Sequence, residues 1–260
     1  MITEELLKAC RLAFEEYIKT MSVEYPDSHH KFQDIKTHSL QVVNNSLLLA
    51  NAIMPAEEDK RLAVIIALFH DIGKASMIAK NLDASVILRD HATVSSKIIQ
   101  QMDFFASLST EIQAVILKSV EGHSKFKLPK LDTEQQTLFA RLLRDADKLD
   151  IYDSAWRFFK EKNGLAPLMT ADLNNSTEIS EKILKSIQSG KTAMIEDLKS
   201  MNDYKLLLIS MVFDINFKYT FRIMSEKQYV QKIYEILPKR DQIIDAYRGI
   251  KLFVENKFVS

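Results

Sequence analysis

The stretch Leu68-Phe69-His70-Asp71-Ile72-Gly73-Lys74 joins two features from which the rest of the chain can be read. Leu62, Ile65, Ile66 and Phe69 recur at three and four residues, the spacing of one helix face. That face ends in an adjacent imidazole and carboxylate. Consecutive helical residues diverge by about 100° around the axis, so His70 and Asp71 reach one ion only if it lies over the edge between them. Gly73 stands where a helix C-terminus commonly carries glycine, and an early end would help both side chains turn to one point. An isolated His-Asp pair at a helix end means little. His38 upstream and Asp147 downstream repeat the two residue types, so two nitrogens and two oxygens can surround one divalent ion.

Outward from this stretch the chain reads as all-α. It has only 5 Gly and 5 Pro, and its apolar residues recur at three and four far more often than at two. Leu6, Leu7, Cys10, Phe14, Tyr17 and Ile18 form a first stripe, and Pro26-Asp27-Ser28-His29-His30 reads as a loop. A second helix is expected from Asp34 to Ile53, stopped by Pro55. His38 on it sits beside Leu40, Val42 and Val43 and faces partly inward. Further helices are expected at His91 to Met102, at Thr110 to Val120 with Gly122 behind it, and from Asp132 through Trp156. Asp132 with Gln135 has capping-box spacing. In that last helix Leu138, Leu142, Ala146 and Leu149 have core spacing, and Asp147 lies one turn beyond Leu143 on an adjoining strip, which points it inward.

Asn163-Gly164-Leu165-Ala166-Pro167 is the expected boundary between a metal-binding helical domain, residues 1–162, and a C-terminal helical lobe, residues 163–260. Helices are expected there at Glu178 to Ser189, Ala193 to Met224, Lys227 to Leu237 and Asp241 to Lys257. No metal-ligand spacing occurs among them, so the lobe is expected to pack on the first domain, closing a substrate pocket or forming a homo-oligomer contact.

At 260 residues and 47% hydrophobic composition the chain can bury a sizeable core. Its 35 basic and 35 acidic side chains cancel, so no global field favours nucleic acid or an anionic membrane as the main partner. Cys10 is the only cysteine, which excludes an internal disulfide and a Cys-rich zinc site and fits a reducing compartment. Met1-Ile2-Thr3-Glu4-Glu5 carries acids where a secretory signal carries bases. The strongest apolar run, Leu206 to Phe213, is far short of the ~20 residues that span a bilayer and reads as a buried helix. A cytoplasmic protein is expected.

The order His38, His70-Asp71, Asp147 resembles the HD-domain superfamily of metal-dependent phosphohydrolases, over roughly residues 30–160. The most specific fragments are the HDIGK string ending at Lys74 and Arg144-Asp145-Ala146-Asp147-Lys148-Leu149-Asp150, which resembles the family's closing Ala-Asp motif. The resemblance implies an HD-domain helical bundle with an additional C-terminal lobe, and it selects Asp147 as ligand over Asp145 and Asp150. His91 and His123 fall where many HD enzymes have histidines that bind a second metal or the substrate phosphate. In the binuclear branch so implied, Asp71 bridges two ions, His38, His70 and Asp147 complete one site, and His91 and His123 hold the other. The expected cofactor is one or two divalent ions among Mn, Fe, Mg, Ni, Co and Zn. The matching family Lys often contacts a phosphate oxygen, which implies that role for Lys74.

The implied function is a phosphomonoesterase or phosphodiesterase that hydrolyses a nucleotide or other small phosphate ester with metal-activated water. The HD-GYP branch has a second His after the one matched by His123 and then a Gly-Tyr-Pro signature. Here Ser124 follows, and Phe126-Lys127-Leu128-Pro129 lacks that signature. Two alternatives from other classes remain: a di-iron oxygenase resembling inositol oxygenase, with the same ligand order, and a non-catalytic HD module that binds ligands or partners. Asp34, one turn before His38, is a further candidate ligand or orienting acid. Arg144 and Lys148 flank Asp147 and are further candidates to contact a phosphate oxygen, but the solvated-cation reading is favoured for both. Trp156, Phe158 and Phe159 read as core.

Overall fold

The computed structural model describes residues 1–160, 170, 173, 174 and 176–259, with side chains as far as Lys257. Among these residues the secondary structure is helical, with no strand. They form two compact units, Met1–Asp150 and Ile151–Ser260. The expected boundary at 163–167 lies outside the described residues.

The first unit contains α1 (Glu4–Glu24), α2 (His29–Ile53), α3 (Glu57–Phe69), α4 (Ile72–Ala79), α5 (Ala84–Gln100), α6 (Asp103–Ala106), α7 (Thr110–His123) and the first part of α8 (Glu134–Lys160). α1 starts where the Thr3 side chain accepts from Leu6 N, and Glu4 and Glu5 suit its positive end. It buries Leu7, Cys10, Phe14 and Ile18. A 3₁₀ turn at Pro26–Ser28 leads straight into α2, so His29 and His30 open that helix rather than lying in a loop.

α3 is the core helix. Every residue from Leu62 to Phe69 is buried, because α1, α2 and α7 all pack on it. The segment Glu57–Ala79 is long and apolar enough to cross a membrane by length and composition, unlike the shorter 206–213 run. Most of it is buried inside the protein. Phe69 packs edge-on to Phe14 (5.8 Å between centroids) and stacks on Phe104 (5.2 Å).

Gly73 does not end α3. The break falls earlier, with His70 as the last cap of α3 and Asp71 as the first cap of α4, and Gly73 lies in the first turn of α4. Its lack of a side chain serves packing. A Cβ there would lie 2.5 Å from both His91 O and Ser95 N, and Gly73 N donates to Ser95 Oγ at 2.9 Å. α4 thus sits directly against α5. Likewise α7 continues through Gly122 to His123. α8 is capped one residue later than expected: Thr133 Oγ1 accepts from Gln136 N, and Gln136 Oε1 accepts from Asp132 N, both at 3.1 Å.

The second unit contains the end of α8, α9 (Glu181–Gln188), α10 (Met201–Ser210), α11 (Lys218–Lys227), α12 (Tyr229–Glu235) and α13 (Asp241–Val259). The single helix expected from Ala193 to Met224 is broken into 3₁₀ turns at Ile195–Asp197 and Met211–Asp214 around α10, with α11 following. A Ser200/Asp203 capping box starts α10 afresh. The buried Asp203 also takes the amides of Ser180 and Lys199. Leu206–Leu208, Ile209, Met211 and Val212 are buried, as expected of that run. Tyr152 donates to Leu208 O at 2.7 Å and stacks on Tyr229. Phe159 packs near Tyr204, and Lys232 lies over Trp156.

Candidate metal centre

Four helices and one helix junction of the first unit converge on one point. α2 brings His38, the α3–α4 junction brings His70 and Asp71, and α5 brings His91. α7 ends on His123, and α8 brings Asp147. His38 Nε2 lies 3.2 Å from His70 Nε2, 3.2 Å from Asp71 Oδ2 and 3.3 Å from Asp147 Oδ1. His70 Nε2 lies 3.5 Å from Asp71 Oδ2 and 3.8 Å from Asp147 Oδ1. On the other side of the same carboxylate, Asp71 Oδ1 lies 3.3 Å from His91 Nε2 and 3.5 Å from His123 Nε2, and those two nitrogens are 3.1 Å apart. The six residues expected to bind metal are thus brought together, with the two oxygens of Asp71 facing different sets of histidines.

The other ring nitrogen of each histidine is held from behind. His70 Nδ1 donates to Ala67 O (2.7 Å), His91 Nδ1 to Ile87 O (2.9 Å) and His123 Nδ1 to Val120 O (2.6 Å). A carbonyl only accepts, so each Nδ1 carries the proton and each neutral ring turns the Nε2 lone pair inward. His38 differs, since its Nδ1 lies 2.6 Å from Asp150 Oδ2.

This arrangement tests whether a cation fits. At Asp71 Oδ1 two imidazole lone pairs and a carboxylate oxygen face one another with no proton among them, and Oδ1 is buried without any hydrogen bond. A buried acceptor left so costs about 1–3 kcal/mol, and three converging acceptors also repel. A divalent ion removes both penalties. Ligand distances of about 2.0–2.2 Å put neighbouring donor atoms ~3.0–3.5 Å apart, close to the spacings found.

The charge states agree. Burial pushes His70 down to about 4, and burial with the Lys74 charge pushes His91 down to about 3, so both stay neutral and able to bind metal. Burial opposes ionisation of Asp71, yet the Lys74 ammonium beside it holds its carboxyl well below the usual range. Asp147 is likewise lowered against its burial, chiefly by His38. Burial works against a charged His38, but Asp147, Asp150 and Asp71 raise it well above an ordinary imidazole.

Lys74 sends its ammonium to Asp71 Oδ2 from one turn along α4, so its charge faces the cluster rather than solvent. Arg144 is not a surface cation. It is buried, and its guanidinium donates to the carbonyls of Gly122, His123 and Lys125 (2.8, 2.9 and 2.6 Å), closing the negative end of α7 just behind His123. Lys148 is also buried, with Nζ 3.4 Å from Arg144 O. Asp34 belongs to none of the ligand groups. Asp150, weighed from the sequence only as a substitute for Asp147, instead stands behind His38. Its spacing of three from Asp147 was the available signal.

No curated protein and no solved structure matches the chain. The family model described as HD domain matches residues 35–152, a span that contains all six converging side chains. The match is consistent with the HD-domain superfamily of metal-dependent phosphohydrolases.

Proposed function

We propose that the chain is a metal-dependent phosphohydrolase that acts on a nucleotide or other small phosphate ester. The observation that carries this reading is the position of Asp71 between two sets of ligands, with Oδ2 toward His38 and His70 and Oδ1 toward His91 and His123. His38, His70, Asp71 and Asp147 would hold one divalent ion, and Asp71, His91 and His123 a second. Such ions supply an activated water and neutralise charge on the phosphoryl oxygens. The chain's own part is positioning. Backbone carbonyls fix three imidazoles, and Arg144 fixes the helix end that carries His123. Lys74 places a cation beside the cluster, where it can hold a phosphate oxygen without a Gly-rich loop. No protein general base is required.

The test is release of phosphate or nucleoside from a broad ester panel, with Mn, Mg, Fe, Co, Ni and Zn supplied separately. Turnover with at least one metal is expected. Lys74→Ala should lower turnover or substrate affinity with metal content intact, because a charged Lys has no lone pair for a metal. Inertness of every metal form toward phosphate esters, with oxygen uptake by the iron form on an organic substrate, would replace this reading with the oxygenase one.

A further inference from the structure

We infer that Asp150 is a positioning residue that makes His38 a metal ligand, an inference that rests on the metal-binding reading above. Three histidines of the cluster need nothing beyond their own helix for orientation, because each Nδ1 is taken by a carbonyl three or four residues earlier. His38 lacks that local anchor. Its Nδ1 contact comes from another helix, 112 residues away in sequence, at 2.6 Å. His38 is also the most exposed of the four rings, at 22% against 0–6% for the others, so packing confines it least.

The position of Asp150 suits this role. It lies three residues beyond Asp147 on α8, so one helix face presents a carboxylate to each side of the same ring. Asp147 Oδ1 is near Nε2, on the ion side, and Asp150 Oδ2 is at Nδ1, on the far side. Asp150 is therefore not a ligand. The Asp150 side chain is only 4% exposed. A buried carboxylate acceptor keeps the proton on Nδ1, aims the Nε2 lone pair at the cluster and makes the ring a stronger donor.

The role predicts what each substitution does. Asp150→Ala frees the ring to rotate and to take the other tautomer. Asp150→Asn keeps the shape but can present its amide N–H to Nδ1, which moves the ring proton to Nε2 and blocks ligation.

The full chain is stripped with chelator, and affinity for Zn²⁺ or Mn²⁺ alone is measured by competition with a chromogenic chelator. Asp150→Ala should weaken binding about 10- to 100-fold, and Asp150→Asn at least as much because it favours the tautomer that cannot bind metal. In imidazole NMR of the stripped protein, wild type should show a far-downfield His38 Nδ1 proton that Asp150→Ala lacks. If Asp150→Ala fails to fold, by circular dichroism, the Asn variant decides by the same affinity measurement. Wild-type affinity in the folded variants overturns the role of Asp150 alone. A wild-type chain that takes up neither ion overturns the metal reading, while the Nδ1 proton still reports on the Asp150 contact.

Discussion

His91 Nε2 and His123 Nε2, 32 residues apart in sequence, face each other at 3.1 Å beside Asp71 Oδ1. Each ring has committed its only proton to a backbone carbonyl, so the pair offers two lone pairs to one space. The expected outcome is about two ions per chain in wild type by elemental analysis, consistent with a two-metal site, and one fewer in the His91→Ala/His123→Ala double variant. Equal stoichiometry in the two proteins would mean that the pair holds no ion.

Asp71 faces both sets of histidines, Oδ2 toward His38 and His70 and Oδ1 toward His91 and His123. Asp71→Asn keeps the volume but loses the charge and half of the bridge. It should lose both ions and cost turnover more than the ~10- to 100-fold typical of groups that only orient a ligand. Elemental analysis and turnover on the same preparation check this; a folded, fully loaded Asp71→Asn protein would contradict it.

Gly73→Ala should harm the site without touching a ligand. The added Cβ would lie 2.5 Å from His91 O and Ser95 N, both backbone atoms, so α4 and α5 must separate. The cost is expected at about 1–3 kcal/mol, read as a lower denaturation midpoint, together with weaker uptake of the ion held by His91. A variant as stable as wild type would show that the two helices are not in this contact.

The metal-free protein should lose stability as pH falls below about 6.5. His70 at about 4 and His91 at about 3 lie under the ordinary imidazole value of 6.5, so in this window the unfolded chain binds protons that the folded chain refuses. Their contribution is intact above 6.5 and is lost as pH falls toward the folded values. The raised His38 acts in the opposite sense, but its contribution is already complete below 6.5 and adds no slope there. The lowered Asp71 and Asp147 begin to cost stability only nearer their unfolded value of 3.8. The slope is at most about 1.4 kcal/mol per pH unit per histidine. Melts of chelated protein near pH 7 and near pH 5 check it, and an equal or higher midpoint at the lower pH would contradict it.

Much of the fold was legible along the chain because helical periodicity is local. The three- and four-residue recurrence that marked α1, α2 and α8 depends only on which side chains one helix turns inward. It misled where a tertiary partner broke the pattern. From Ala193 to Met224 the apolar spacing continues, yet the buried Asp203 and its capping of Ser200 start a new helix. At Gly73 the residue type was right for a helix end, but the reason for glycine was the backbone of α5, which no local pattern shows.

The candidate site divides in the same way. Residue types, their order and the HDIGK and Ala-Asp strings were enough to name His38, His70, Asp71, His91, His123 and Asp147, because metal chemistry restricts which side chains can serve. Only packing decided that four helices and the α3–α4 junction bring them to one point, that Asp71 divides its oxygens between two sets of histidines, and that each Nδ1 has a partner behind it. Spacing of three puts Asp150 on the same face of α8 as Asp147, but it does not show which of the two carboxylates takes the Nε2 side of His38 and which the Nδ1 side. That choice depends on where α8 crosses α2, and the crossing is set by side-chain packing between segments about a hundred residues apart in the chain.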